Sequence, residues 1–430
     1  MFDGLSHEAL AARERALSAE FESLKRAGLA LDLTRGKPSP EQVALSDGLE
    51  DVLGGDYRLT DGTDARNYGG LLGIPEARRL GAELLGVRPE ETIAGGNASL
   101  TFMHQYLLHA WLNGPLGPET AWRREPGPLK FLCVVPGYDR HFTITESLGF
   151  ELVNVPITGS GPDMDRVEAL VADDPCVKGI WCVPKYSNPT GDIYSDEVVE
   201  RFAHLARRAG PHFRILWDNA YAVHDLDDDP PVLANLMERC RAAGTEDSAV
   251  LFASTSKITR AGAGIAFMAA SAANLASFSR FLGVQTIGPD KINQLRHVRF
   301  LRDGDGVRGH MRRQAAIVRP KFERVLHHLQ AGLAADGLAS WSRPRGGYFL
   351  SVDVPEGLAA EVVRLAGEAG VKLTPAGATF PHGRDPRDSN IRLAPTYPSL
   401  DEIDQAMPVF VTAVALAAAR QQLQQGAVHA

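Results

Sequence analysis

The 430-residue sequence predicts an α/β protein: a large domain built on a mostly parallel sheet, plus a smaller α+β domain. Three observations carry this. Between residues 76 and 279, short runs that are apolar on both faces alternate with helical patterns, as a parallel sheet covered by helices requires. Apolar residues make up 44% of the chain, enough for sizeable cores. From residue 338 the pattern changes to a few strands with helices between them. A chain of this length suggests two or three domains, or one large α/β domain with a smaller partner.

Taken in order, residues 6–27 read as a charged amphipathic helix, and LALDLTRGKPSPEQ (29–42) as a short strand breaking into a Gly/Pro loop. The strand candidates of the large domain are KFLCVV (130–135), ELVNVPI (151–157), VKGIWCV (177–183), FRILWD (213–218), AVLFAS (249–254) and AGIAFMAAS (263–271). DEVVERFAHLARRAG (196–210) is typical of the helices between them, and DLDDDPP (225–231) reads as a solvated loop. A long helix over 311–332 leads out of this domain. GGYFLSVDV (346–354), VKLTPAG (371–377) and NIRLAPT (390–396) supply strands to the second. The division expected is 1–55 for an N-terminal arm with part of the small domain, 56–310 for the large domain, and 311–430 for the linking helix and small domain. The apolar run Ala406 to Ala419 contains Pro408, is read as too short to span a bilayer, and is expected to be a packed C-terminal helix.

A net charge of −8 and a pI near 5.9 argue against nucleic acid or an anionic membrane as the main partner. Asp3, His7 and Glu8 interrupt the N-terminus, so no signal peptide is expected. Cys133, Cys176, Cys182 and Cys240 have no metal-like spacing and read as reduced structural thiols of a cytosolic protein.

Polar residues gather where the strands end, which is where ligands bind in open α/β sheets. AGGNASL (94–100) can open a helix with Gly95, Gly96 and Asn97 as an anion cradle. VVPGYDRHF places Tyr138 and His141 after one strand, and VPKYSNPTGDIYS places Asn188 after the next. LWDNAY sets Asp218 and Tyr221 beyond a third. In LFASTSKITRAGAGIAF, Ser254, Ser256 and Lys257 follow a fourth. Each has an ordinary structural explanation alone: a strand-end Asp is often a helix cap, NPTG is a common turn, and a lone lysine is usually solvated. Five such endings on successive strands are harder to dismiss. One chemistry uses them together. A lysine beside an apolar strand can form a Schiff base with an aldehyde. Pyridoxal phosphate is the aldehyde cofactor that also needs a phosphate cradle, a carboxylate at its ring nitrogen and a stacking aromatic. Asp218 suits the ring nitrogen, with His141 orienting it. Tyr221 and Asn188 suit the ring hydroxyl, and Tyr138 the ring face. Ser254, Ser256, Gly96 and Asn97 suit the phosphate.

These motifs resemble the class I aminotransferases of the aspartate aminotransferase fold. Within them the chain looks closest to the subgroup labelled MocR-type, or type Ic aspartate aminotransferases. The likeness covers nearly the whole chain. It rests on PGYDRH, SNPTG, DNAY and STSK, and on LDLTRGKPSPEQ, NYGGLLGIPEARR (67–79), GPDKINQLRHVRF (288–300) and TPAGATFPHGRDPRDSNIRLAPTYPS (374–399). The resemblance implies the type I fold of pyridoxal phosphate transferases, with a seven-stranded sheet. It also implies a homodimer in which Tyr68 reaches the neighbouring subunit's cofactor. Arg392 falls where the family's α-carboxylate arginine belongs, with Gly36 assisting. Lys257 takes the roles of imine lysine and general base. The chain departs from the pattern at Ile265, eight residues after Lys257, where many relatives carry a phosphate-binding arginine. Either Arg260, three residues after Lys257, or another cation contacts the phosphate, or hydroxyls and backbone amides do most of the work.

The resemblance implies aspartate as donor and 2-oxoglutarate as acceptor. A dicarboxylic substrate needs a second cation, for which Arg35, Lys37, Lys291, Arg296 and Arg299 are candidates; for any one of them a salt bridge or interface contact is the ordinary reading. A broad or aromatic specificity and a β-lyase are the alternatives. Relatives that regulate transcription carry a DNA-binding domain for which this chain has no room before residue 30. A structural or binding protein would leave Lys257, Asp218 and Arg392 without a common purpose.

Overall fold

The computed structural model describes Phe2 and residues 5–428; Asp3, used above to argue against a leader, lies outside them. Twelve strands follow in chain order: β1 (Leu31–Asp32), β2 (Thr92–Ala94), β3 (Lys130–Val135), β4 (Glu151–Pro156), β5 (Val177–Cys182), β6 (Arg214–Asp218), β7 (Ala249–Ser254), β8 (Ala266–Ala270), β9 (Ser340–Trp341), β10 (Leu350–Asp353), β11 (Val371–Lys372) and β12 (Asn390–Leu393). Seven form one sheet in the order β2-β8-β7-β6-β5-β3-β4. All neighbours pair in parallel except β8, which is antiparallel to both β2 and β7.

The doubly apolar runs explain themselves in this sheet. Side chains alternate across a strand, so each run supplies two cores. Ile180, Ile215, Trp217 and Leu251 join one cluster with the helices Pro75–Leu85, Met164–Asp173, Asp196–Leu205 and Leu236–Ala243. Phe131, Trp181, Leu216, Val250 and Phe252 join the opposite one, under the helices Ser99–Asn113, Asp139–Ser147 and Ala272–Gln285. β2 was not foreseen, because three residues carry no readable period. Its position is held by Gly73 (φ 88°): a Cβ there would lie 2.4 Å from the Ala94 carbonyl oxygen, so only glycine permits this turn.

The small domain combines the antiparallel order β12-β10-β9 with a parallel pair, β1 with β11. The N-terminal strand is thereby stitched to residues 340 positions further on. Its core joins the helix His7–Arg26, the second half of the helix Gly304–Leu333, the helix Ala359–Glu368 and the helix Leu400–Val428. Two expectations need correction. The linking helix starts at Gly304, not 311, because Asp303 caps it by accepting from the Gly306 N–H at 2.8 Å. The apolar run 406–419 lies in a helix of 29 residues, with Pro408 inside it. By length and composition that helix could cross a membrane, so shortness is not the reason to reject a span. Burial is: 72% of its most apolar window is covered by the rest of the chain.

Candidate active site

The carboxyl ends of β3, β5, β6 and β7 open on one cavity, and Tyr138, Asn188, Asp218, Tyr221, Ser254 and Lys257 line it. Asp218 ends β6 and is buried. Its Oδ2 lies 2.9 Å from His141 Nε2. His141 sits in the first turn of the helix Asp139–Ser147 and stacks on Trp181, with ring centroids 4.3 Å apart and planes within 6°. Packing therefore fixes the imidazole, and the imidazole fixes the carboxylate. Asp218 Oδ1 is buried without a hydrogen-bond partner among the described residues. Leaving a buried carboxylate oxygen unpaired is costly. A ligand N–H delivered through the cavity would satisfy it, and a protonated pyridine nitrogen has that chemistry. The residues present thus fit pyridoxal phosphate.

Lys257 projects from the turn after β7. Its Nζ lies 4.8 Å from the Tyr221 ring centroid and 5.9 Å from that of Tyr348. Burial raises the phenols of Tyr138 and Tyr221 above their ordinary value, so both keep their protons at neutral pH. Tyr138 meets His141 edge-on at 5.0 Å. Arg392, on β12, reaches in from the small domain and is buried. Its Nη1 lies 3.3 Å from Asn188 Oδ1 and 3.4 Å from Asp139 Oδ1. Its guanidinium carbon lies 4.8 Å from the Phe349 ring centroid, and its Nε is buried without a partner. The same ring closes on Gly36, where a Cβ would fall 2.0 Å from it. Any side chain at residue 36 would displace the aromatic plate under Arg392.

The remaining sequence candidates divide. Gly95 already donates its N–H to Ala266 O at 2.8 Å, and a Cβ on it would strike Phe102. Gly96 accepts from Ala266 N, and the Asn97 carbonyl accepts from Ser256 Oγ at 2.7 Å. Ser99 and Leu100, which open the helix Ser99–Asn113, line the cavity instead. Arg260 pairs with Glu50 and lies 3.5 Å from Asp47. Ile265 is buried in the core and is not among the residues lining the cavity. Arg35 pairs with Asp32 at 3.0 Å, and Arg299 with Asp56 at 2.7 Å. Lys37 lies 4.0 Å from the Tyr397 ring centroid, and Lys291 donates to the Tyr68 carbonyl at 3.2 Å. The Tyr68 side chain is 85% exposed, outside its own chain's cavity, on a rim it shares with the exposed Ile287.

Sequence reasoning missed Ser99, Leu100, Asp139, Tyr348 and His224. Ser99 and Asp139 lie inside motifs that were recognised, and GGYF was read only as strand. Nothing in the sequence marks His224. Its Nε2 hydrogen-bonds the Lys257 carbonyl at 3.2 Å, and burial and then the Lys257 charge hold its imidazole down at about 3. The folded state thus binds no proton at His224 where the unfolded chain, with an ordinary histidine, does. Stability contributed this way is lost as pH falls below about 6.5, with a slope of at most about 1.4 kcal/mol per pH unit. His224→Gln should flatten this part of the stability curve, measured by urea unfolding between pH 4 and pH 7. An unchanged slope would show that the imidazole titrates normally in the fold.

A family model described as aspartate amino-transferase matches residues 5–426. An aspartate aminotransferase of Corynebacterium glutamicum is 46% identical over 417 residues, 97% of this chain and 94% of that one. The crystal structure of an aspartate transaminase from Corynebacterium glutamicum superposes with a TM-score of 0.93 at 45% identity, covering 98% of each chain. At 22% identity and a TM-score of 0.73, the α-aminoadipate aminotransferase of Thermus thermophilus, solved in complex with N-(5'-phosphopyridoxyl)-L-leucine, shares the fold over 92% of this chain and 93% of its own.

Proposed function

The chain belongs to the aspartate aminotransferase family, and from that premise we propose that this pyridoxal-phosphate-dependent aminotransferase exchanges the amino group of aspartate or glutamate with 2-oxoglutarate or oxaloacetate. The observation that carries the site assignment is the unpaired Asp218 Oδ1 in the same cavity as Lys257 Nζ. Pyridoxal phosphate supplies an aldehyde that condenses with amines and a pyridinium ring that draws electrons from the substrate α-carbon. Asp218 Oδ1 would accept the ring N–H and keep that nitrogen protonated, while His141 holds Oδ2. Tyr221 and Asn188 would hydrogen-bond the ring hydroxyl, and Tyr138 would cover one face. Ser254, Ser256 and the start of the helix Ser99–Asn113 would hold the phosphate. Arg392 binds the substrate α-carboxylate, a fork that Asn188 and Asp139 orient. Lys257 Nζ would serve as the base that takes and returns the substrate α-proton.

The resemblance to relatives named as aspartate aminotransferases supports the dicarboxylic substrate; the type Ic subgroup rests on the sequence motifs alone. A panel of donors with 2-oxoglutarate tests it: aspartate should give the highest kcat/KM. Equal values for alanine or phenylalanine would make the enzyme broad in specificity, and release of pyruvate with ammonia would make it a β-lyase. The small-domain core is separate from the clusters on the two sheet faces, which supports a division near residues 55 and 310, with the helix Gly304–Leu333 bridging it. A cytosolic location belongs to the same reading.

The exposed Tyr68 supports a homodimer with shared sites. Mixing Tyr68→Ala with Lys257→Ala protein should restore part of the activity, because each hybrid dimer then holds one site with both residues. A fully active monomer in sedimentation would refute this.

A further inference from the structure

Behind Lys257 lies a closed polar cluster that the chemistry described above does not use. Gln42, His224, His310, Gln314 and Tyr348 are all buried, and they come from four separate parts of the chain. They converge on two carbonyls. Lys257 O accepts from His224 Nε2 and from the Tyr348 hydroxyl, each at 3.2 Å. Ile258 O accepts from His310 Nε2 at 2.8 Å and from Gln314 Nε2 at 3.1 Å. Neither carbonyl has a backbone partner, because the chain turns here without forming a helix. Gln42 closes the cluster: its Nε2 donates to Gln314 Oε1 at 2.7 Å and to the Tyr348 hydroxyl at 3.3 Å, while Gln314 Nε2 donates to the Gln42 carbonyl at 3.2 Å.

Apolar side chains of similar volume would fill this space at less desolvation cost. What they could not do is fix the direction of two consecutive peptide planes, and with them the Cα–Cβ bond of Lys257. Gln42 adds a second property. It belongs to the short helix Pro40–Ala44, capped by Ser39, and that helix follows directly on the loop carrying Gly36. The hydroxyl of Thr396 holds the same loop by donating to the Lys37 carbonyl at 3.1 Å.

We infer that Gln42, Gln314, Tyr348 and His224 are positioning residues that set Lys257 in register and tie it to the substrate loop at Gly36. The inference rests on Lys257 being the cofactor lysine. A reacting group misplaced by about 1 Å can lose on the order of 100-fold in rate. Tyr348→Phe removes a single oxygen and keeps the packing; Gln314→Leu removes the central amide. In each holoenzyme the visible absorption band should persist, since Lys257 itself is intact. The kcat for aspartate should fall about 10- to 100-fold, with KM changed less than about threefold. In stopped flow at saturating aspartate, loss of the visible band should slow by the same factor as kcat. Gln42→Leu combined with Gln314→Leu should be little worse than either alone, because both act through one chain of bonds.

Lys257→Ala serves as the control. If it keeps the visible band, the lysine assignment fails, and this inference with it. If it loses the band while Tyr348→Phe and Gln314→Leu react at the wild-type rate, the positioning role alone is overturned. Lower thermal midpoints with normal single-turnover rates would likewise reduce the cluster to a structural one and refute the inference.

Discussion

Lys257→Ala is expected to abolish the visible absorption of the pyridoxal-phosphate-loaded protein and to lower transamination by about 10²- to 10⁴-fold or more. Two losses combine. On the proposed assignment the variant has no amine at the mouth of β7 to bond the cofactor and no base for the substrate α-proton. Its fold should survive, because Lys257 Nζ makes no hydrogen bond or ion pair among the described residues; its structural work lies in its carbonyl, which alanine retains. Circular dichroism should therefore match the wild type. The decisive measurement is the spectrum after removal of free cofactor. A persisting band would transfer the covalent role to another lysine. Lys185, a buried lysine near these strand ends, is already paired with Asp225 at 2.7 Å.

The second large effect concerns Arg392. Arg392→Lys should depress kcat/KM by about 30- to several-thousand-fold, the equivalent of losing ~2–5 kcal/mol from a charge-assisted pair in a closed site. The change is not conservative here. An ammonium cannot offer a planar fork, stack on the Phe349 ring and meet Asn188 Oδ1 at once. Every amino acid presents an α-carboxylate, so aspartate and alanine should lose by similar factors. Substitution of the cation that reads the distal carboxylate should instead depress aspartate far more than alanine. Of the candidates, Arg35 and Arg299 are already held by Asp32 and Asp56, and Lys291 by the Tyr68 carbonyl. Lys37, whose ammonium rests on the Tyr397 ring, is the first to test. Loss of aspartate activity alone in Arg392→Lys would reverse the two assignments. If no cation variant separates the substrates, the enzyme is broad in specificity.

The parallel sheet was readable because strands buried on both faces are apolar throughout, and β3 to β7 fall within a residue or two of the runs that announced them. The strand-end residues were readable because that topology collects them at one edge: Asp218, Tyr221 and Lys257 need no long-range information to be placed there. Their chemistry follows from residue type, and so does the expectation that Asp218 leans on His141. What tertiary structure decided is whatever depends on contacts between distant segments. β2 exists because the turn at Gly73 and the edge of β8 leave it a place, and the 29-residue C-terminal helix is a core element because other helices cover it. Gly95 has its N–H taken by a strand 171 residues away, so a glycine-rich motif alone could not tell which amides remain free for an anion. The same holds for the cations and for the cluster behind Lys257. A basic or amide side chain has no fixed partner in sequence, and only its position in space shows whether it faces a carboxylate, a ring or a carbonyl. Local patterning determined the sheet and the polar groups gathered at its edge; long-range packing determined which groups are already satisfied and which are left for a ligand.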